Sequence, residues 1–103
     1  MKNQKYYSLD VNDQDISSYV LIVDINSSPR EIVRNFLRED ANNRCSVELY
    51  GTLEKGFVYE VKIHGIAHTA LQLHVSNDGF LKIIKSYGKD ASIREISEQD
   101  AVS

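Results

Sequence analysis

The sequence predicts an α+β fold: a mostly antiparallel sheet in the order β-β-α-β-β-β-β, one capped helix packed on a sheet face, and a short helix near the C-terminal end. Three observations predict it. Glu54-Lys55-Gly56 and Asn77-Asp78-Gly79 each separate runs of alternating apolar and polar residues, as hairpin loops do. Ser28-Pro29-Arg30-Glu31 has the make-up of a helix start. It places Ser28 at the N-cap, Pro29 at the first helical position and Glu31 at the third. Finally, the strands follow the helix instead of alternating with it, which argues against a doubly wound fold. A ferredoxin-like or RNA-recognition order fits poorly for want of a second full helix.

The first strand is read over residues 5–11 from the alternation of Tyr7, Leu9 and Val11, ending in the polar cluster Asn12-Asp13-Gln14-Asp15. Tyr19-Val20-Leu21-Ile22-Val23-Asp24-Ile25 is apolar on both parities, the pattern of a strand with cover on both faces. The helix is expected from Pro29 to about Asp40, burying Ile32, Val33, Phe36 and Leu37 on the sheet. Arg30, Arg34 and Arg38 would then stack on its solvent side, and Asn42-Asn43 would turn the chain into a meander.

Three-residue loops set the expected register of that meander. In the first hairpin Leu53 faces Phe57, Leu49 faces Val61 and Val47 faces Ile63, with Glu48 opposite Lys62 and Tyr50 opposite Glu60 on the polar side. In the last, Val75 faces Leu81, Leu73 faces Ile83 and His74 faces Lys82. Between them, 66–76 reads as a strand in preference to a helix, because pairing Ile63 with Leu71, Val61 with Leu73 and Tyr59 with Val75 keeps the large apolar side chains on one face. Both Gly56 and Gly79 are expected at positive φ. Ser92-Ile93-Arg94-Glu95 is a second capping-box pattern, read as a short frayed helix, and 97–103 is expected to be a disordered tail of a single domain covering residues 1–103.

At 103 residues, with 42% hydrophobic and 26% charged residues, the chain suits one soluble core. The longest apolar run, Tyr19–Val23, is far short of a membrane span, and the opening residues lack a signal-peptide core, so a cytoplasmic location is expected. A single Cys45 alternates with Val47 and Leu49, as a buried strand cysteine would. A net charge of −3 and a pI near 5.5 disfavour sequence-independent nucleic-acid binding and leave a basic protein partner more natural.

No catalytic motif is present. His64, His68 and His74 lack accompanying ligands, and the Asp10–Asp15 cluster has Asp15 where a calcium loop needs glycine. No metal or cofactor is therefore expected, and no catalytic residue is assigned. The expected function is that of a non-enzymatic inhibitor or immunity-type protein that occludes a basic partner, such as a nuclease toxin or a defence enzyme. Its partner-binding residues would be Glu48, Tyr50, Glu60, His74 and Phe80 on the outer sheet face, with the acidic turn of Asp10, Asp13 and Asp15. Two other classes compete: an enzyme or small-ligand binder with a pocket between sheet and helix near Tyr59, His64 or Cys45, and a homo-oligomeric structural module. The arginine stripe offers a rival interface on the helix.

Overall fold

A computed structural model of the chain describes residues 4–11, 17–28, 32–36, 44–64, 69–88 and 90–102. The described residues form two four-stranded antiparallel sheets packed face to face, with one short helix, instead of a single sheet carrying a long helix. Strands β1 (Gln4–Val11), β2 (Ser17–Asp24), β3 (Val33–Phe36) and β8 (Ala91–Ile96) make one sheet in the order β3-β2-β1-β8. Strands β4 (Cys45–Leu53), β5 (Gly56–Ile63), β6 (Thr69–Ser76) and β7 (Leu81–Tyr87) make the other, in chain order. Since β3 lies beside β4 and β7 beside β8, the chain winds once around its own core.

Period-two alternation builds that core. Tyr7, Leu9 and Val11 from β1 and Tyr19, Leu21 and Val23 from β2 are buried against Tyr59, Val61, Leu71, Leu73 and Val75 of the facing sheet. Two tyrosine hydroxyls tie the sheets together in opposite directions. Tyr7 of β1 donates to the Gly79 carbonyl at 3.0 Å. Tyr59 of β5 hydrogen-bonds with the backbone at Ile32, just before β3.

The helix expected from Pro29 to Asp40 is overturned by β3, which pairs with β2 through Leu21–Phe36, Ile22–Asn35 and Val23–Val33. Residues 29–31 and 37–40 lie outside the described set. An isolated helix of that length is marginal in water, and a cap adds about 1 kcal/mol. Joining β2 instead satisfies the Asp24 N–H on the Ile32 carbonyl at 3.0 Å and buries the β-branched pair Ile32 and Val33. The turn before it is set by Asp24, whose carboxylate accepts from the Asn26 N–H at 3.1 Å, an Asx turn. Arg34 lies in β3 and so not on a helix, while Arg30 and Arg38 of the expected stripe lie outside the described residues.

The second expected helix is also a strand. Residues 91–96 pair antiparallel with β1, setting Ile93 opposite Leu9 and Ala91 opposite Val11. The second capping-box pattern starts no helix; Ile93 packs on the core while Ser92 and Arg94 are exposed. Helix comes later, over Glu98–Val102, where the Ser97 hydroxyl accepts from the Asp100 N–H at 3.1 Å. Ala101 is buried, and the helix lies against β1, whose Tyr6 and Ser8 are buried on the side away from the core.

In the meander, the final hairpin has the expected register: Val75–Leu81, His74–Lys82 and Leu73–Ile83. Gly79 has φ +85° and closes the loop through its N–H to the Ser76 carbonyl at 2.9 Å. The other two hairpins differ from expectation by two residues on the same faces, except beside the first turn, where Thr52 and not Leu53 faces Phe57 and Leu53 is exposed. Cys45 pairs with Ile63 and Val47 with Val61, then a bulge at Tyr50 leads to Leu53–Gly56 around a two-residue turn. Ile63 pairs with Thr69, Val61 with Leu71 and Tyr59 with Leu73. Gly56 is not among the positive-φ glycines, Gly79 and Gly88. It is needed for a different reason: a Cβ there would overlap the Val75 carbonyl of the neighbouring strand.

Candidate functional site at the outer face of the β4–β7 sheet

The interior of the sandwich is filled by side chains. Tyr59 is fully buried and Cys45 nearly so, while His64 is exposed at the end of β5, so these three residues do not converge on a pocket. The helix that would have roofed such a pocket is replaced by β3. Burial pushes the Cys45 thiol from its ordinary 9.0 up to about 12, the opposite of what a nucleophile needs. No group of three or more His, Cys, Asp or Glu among the described residues is placed to hold a metal ion. His68 lies outside them.

Because the folded state binds the Cys45 proton more tightly than the unfolded chain does, the associated stability is fully present below pH 9 and is lost as pH rises toward 12. Tyr7 and Tyr59, raised from 10.0 chiefly by burial, add to the loss only above pH 10. Cys45→Ala should therefore remove a decline on the order of 1 kcal/mol between pH 8 and pH 10 that the parent shows in urea unfolding. Parallel pH profiles for the two proteins would count against it.

The open surface is the other side of the β4–β7 sheet. Residues directly opposite on neighbouring strands point the same way, so the register lays them out in rows. Glu48, Glu60, Gln72 and Lys85 form one row; the next holds Val58, which is buried, with half-buried His74 and exposed Lys82. Tyr50, at the β4 bulge, is 65% exposed, and Ile84 and Tyr87 of β7 are 46% and 43% exposed. The Lys85 ammonium lies 4.8 Å from the centre of the Tyr87 ring. Its pKa is raised, first by a side-chain hydrogen bond to Tyr87, then by charge interactions with Tyr87 and, more weakly, Tyr50.

Glu48 faces Glu60 directly instead of facing Lys62, so two carboxylates stand opposite one another on an exposed sheet. Lys62 relieves only one of them, with Nζ 3.4 Å from Glu60 Oε1. Like charges at this spacing are unfavourable in the free protein. His74 occupies the space that a side chain at position 56 would take: a Cβ on Gly56 would lie 2.8 Å from His74 Nε2. That nitrogen is buried and has no hydrogen-bond partner among the described residues.

The structure thus brings together Glu48, Tyr50, Glu60 and His74, and separates the rest of the expected set from them. Phe80 is 53% exposed but sits in the β6–β7 loop, with the Lys5 ammonium 4.1 Å from its ring centre. Asp10 belongs to the opposite sheet, where its carboxylate accepts from Ser18 at 2.6 Å and Ser8 at 3.1 Å and meets Arg94 at 3.6 Å. Asp13 and Asp15 lie outside the described residues. Lys85 and Tyr87 join the face unexpectedly, because Ile84 is skipped between the Leu73–Ile83 and Gln72–Lys85 pairs and the alternation changes phase. The break in period at Ile83-Ile84-Lys85 is the sequence signal for it.

No described helix is long and apolar enough to cross a membrane. No protein-family model matches the chain, and neither a curated protein nor a solved structure matches it.

Proposed function

We propose that this chain is a non-catalytic protein-binding domain that acts in the cytoplasm by covering a partner with the outer face of its β4–β7 sheet. Stoichiometric inhibition of a toxic or defence enzyme with a cationic active surface is the concrete form of that reading. The observation that carries it is the Glu48–Glu60 pair, Glu48 exposed and Glu60 half-buried, beside the exposed Tyr50. A cationic group from a partner would relieve the carboxylate repulsion, and Tyr50 is an aromatic anchor of the kind that dominates interface energetics. The opposite sheet is less available, since the C-terminal helix packs on β1 and Asp10 is held by Ser8, Ser18 and Arg94.

The test is capture from the native cell followed by measurement of the purified complex. One partner protein should bind at 1:1 stoichiometry. Glu48→Lys should slow association, and Tyr50→Ala should raise dissociation by about 1–3 kcal/mol. Ser92→Asp, on the exposed side of β8, should change neither. A complex lost with Ser92→Asp and kept with the other two would place the interface on the wrong sheet and end this reading.

A further inference from the structure

The outer face carries its charge unevenly: Glu48 and Glu60 stand on β4 and β5, where Lys62 of β5 offsets Glu60 alone, and Lys82 and Lys85 stand on β7. We propose that in the free protein this face is covered by a second copy of the chain, related by a two-fold axis that runs along the strands between β5 and β6. The inference rests on the reading of this face as a protein interface and names its resting occupant.

The geometry follows from register. Rotation about such an axis exchanges β4 with β7 and β5 with β6 while keeping each row over itself. Glu48 then meets Lys85 of the partner subunit, and by symmetry the reverse contact forms as well. In the next row Tyr50, at the bulge, comes over Lys82 of the partner subunit, a cation–π arrangement. Sheets packed in this way stand about 10 Å apart at an angle of about 30°, which keeps the central rows in contact. The exposed Ile84 and Tyr87 supply apolar area beside the charged rows. An arrangement with the strand order superposed, β4 over β4, would instead set Glu48 against its own copy.

Four strands about 4.8 Å apart and about seven residues long cover roughly 450 Å² per copy, or roughly 900 Å² for the pair. That is below the size of stable complexes, so the dimer is weak and exchangeable. Weakness is what allows a tighter partner to displace it.

Sedimentation equilibrium on the purified chain, from about 10 µM to about 1 mM and at low and high salt, is the test. The parent should show a monomer–dimer equilibrium that weakens with salt. Glu48→Lys and Lys85→Glu should each raise the dimer Kd about tenfold or more, since each turns two attractive contacts into two repulsive ones. Mixing the two variants should restore association to within about threefold of the parent, because a cationic face then meets an anionic one. A parent that stays monomeric at about 1 mM in low salt, single variants that dimerise like the parent, or a mixture that does not recover would each overturn the proposal. Native capture is a separate readout: a dimer without a partner protein removes only the inhibitor reading, and a partner bound by a monomeric chain removes only the dimer.

Discussion

Tyr59→Ala should lower stability by roughly 3–5 kcal/mol, the largest loss expected from any single truncation in this domain. Tyr59 has no exposed surface and is the largest of the fully buried side chains. It stands in the middle of the β4–β7 sheet and reaches across the core to the backbone at Ile32, so its removal opens a cavity and cuts a tie between the sheets. A domain of this size is stable by only about 5–15 kcal/mol, so the variant would keep little of its margin. Tyr59→Phe isolates the hydroxyl and should cost about 1–2 kcal/mol. Urea unfolding of the three proteins is the measurement. A loss below about 1 kcal/mol for the alanine variant would mean that the site collapses freely and that Tyr59 does not hold the sheets together.

Gly56→Ala should be nearly as damaging, at roughly 2–4 kcal/mol, although it adds a single methyl group. The new Cβ would overlap the Val75 carbonyl and lie 2.9 Å from the Ser76 Cα, and neither is a flexible side-chain tip. Strands β5 and β6 would have to part at the end of their ladder, and the His74 ring, seated over the glycine, would be displaced. Gly51 supplies the comparison. Nothing lies within 4 Å of a Cβ built there, so Gly51→Ala should change stability by no more than about 0.5 kcal/mol. Equal melting temperatures for the two variants would contradict the packing argument.

Much of the sandwich could be read from residue pattern alone. The alternation of Tyr7, Leu9 and Val11 and the apolar run of β2 gave their strands, and Asn77-Asp78-Gly79 gave the loop and register of the last hairpin, because only one loop length keeps Leu73 and Val75 facing the core. The helix reading failed where local and non-local forces conflict. Ser28-Pro29-Arg30-Glu31 is a sound helix start, but β2 has a second edge to satisfy, and Ile32 and Val33 reach the core as well from a strand as from a helix. Ser92-Ile93-Arg94-Glu95 misleads in the same way, since the free edge of β1 is invisible in sequence.

The outer face was legible in part. Parity placed Glu48, Glu60, His74 and Lys82 on one side correctly even where the register was two residues out. Parity could not say which residues stand opposite each other, and the bulges decide that. The bulge at Tyr50 sets Glu48 against Glu60, and the skipped Ile84 turns Lys85 and Tyr87 outward. The acidic pair and the lysines across the sheet therefore emerge only once the strands are paired.

The route of the chain also fixes an order of events. Every strand pair but one joins neighbours in sequence; the exception is β1 with β8, which brings Leu9 to Ile93. Local hairpins form in microseconds, whereas closing so long a loop is entropically costly until most of the molecule between is already in place. The two meanders should assemble first and β8 should dock last, as the closing seam. Pulse-labelled hydrogen exchange during refolding would show the β8 amides protected after those of β5 and β6, and simultaneous protection would mean that the ends meet before the middle is built.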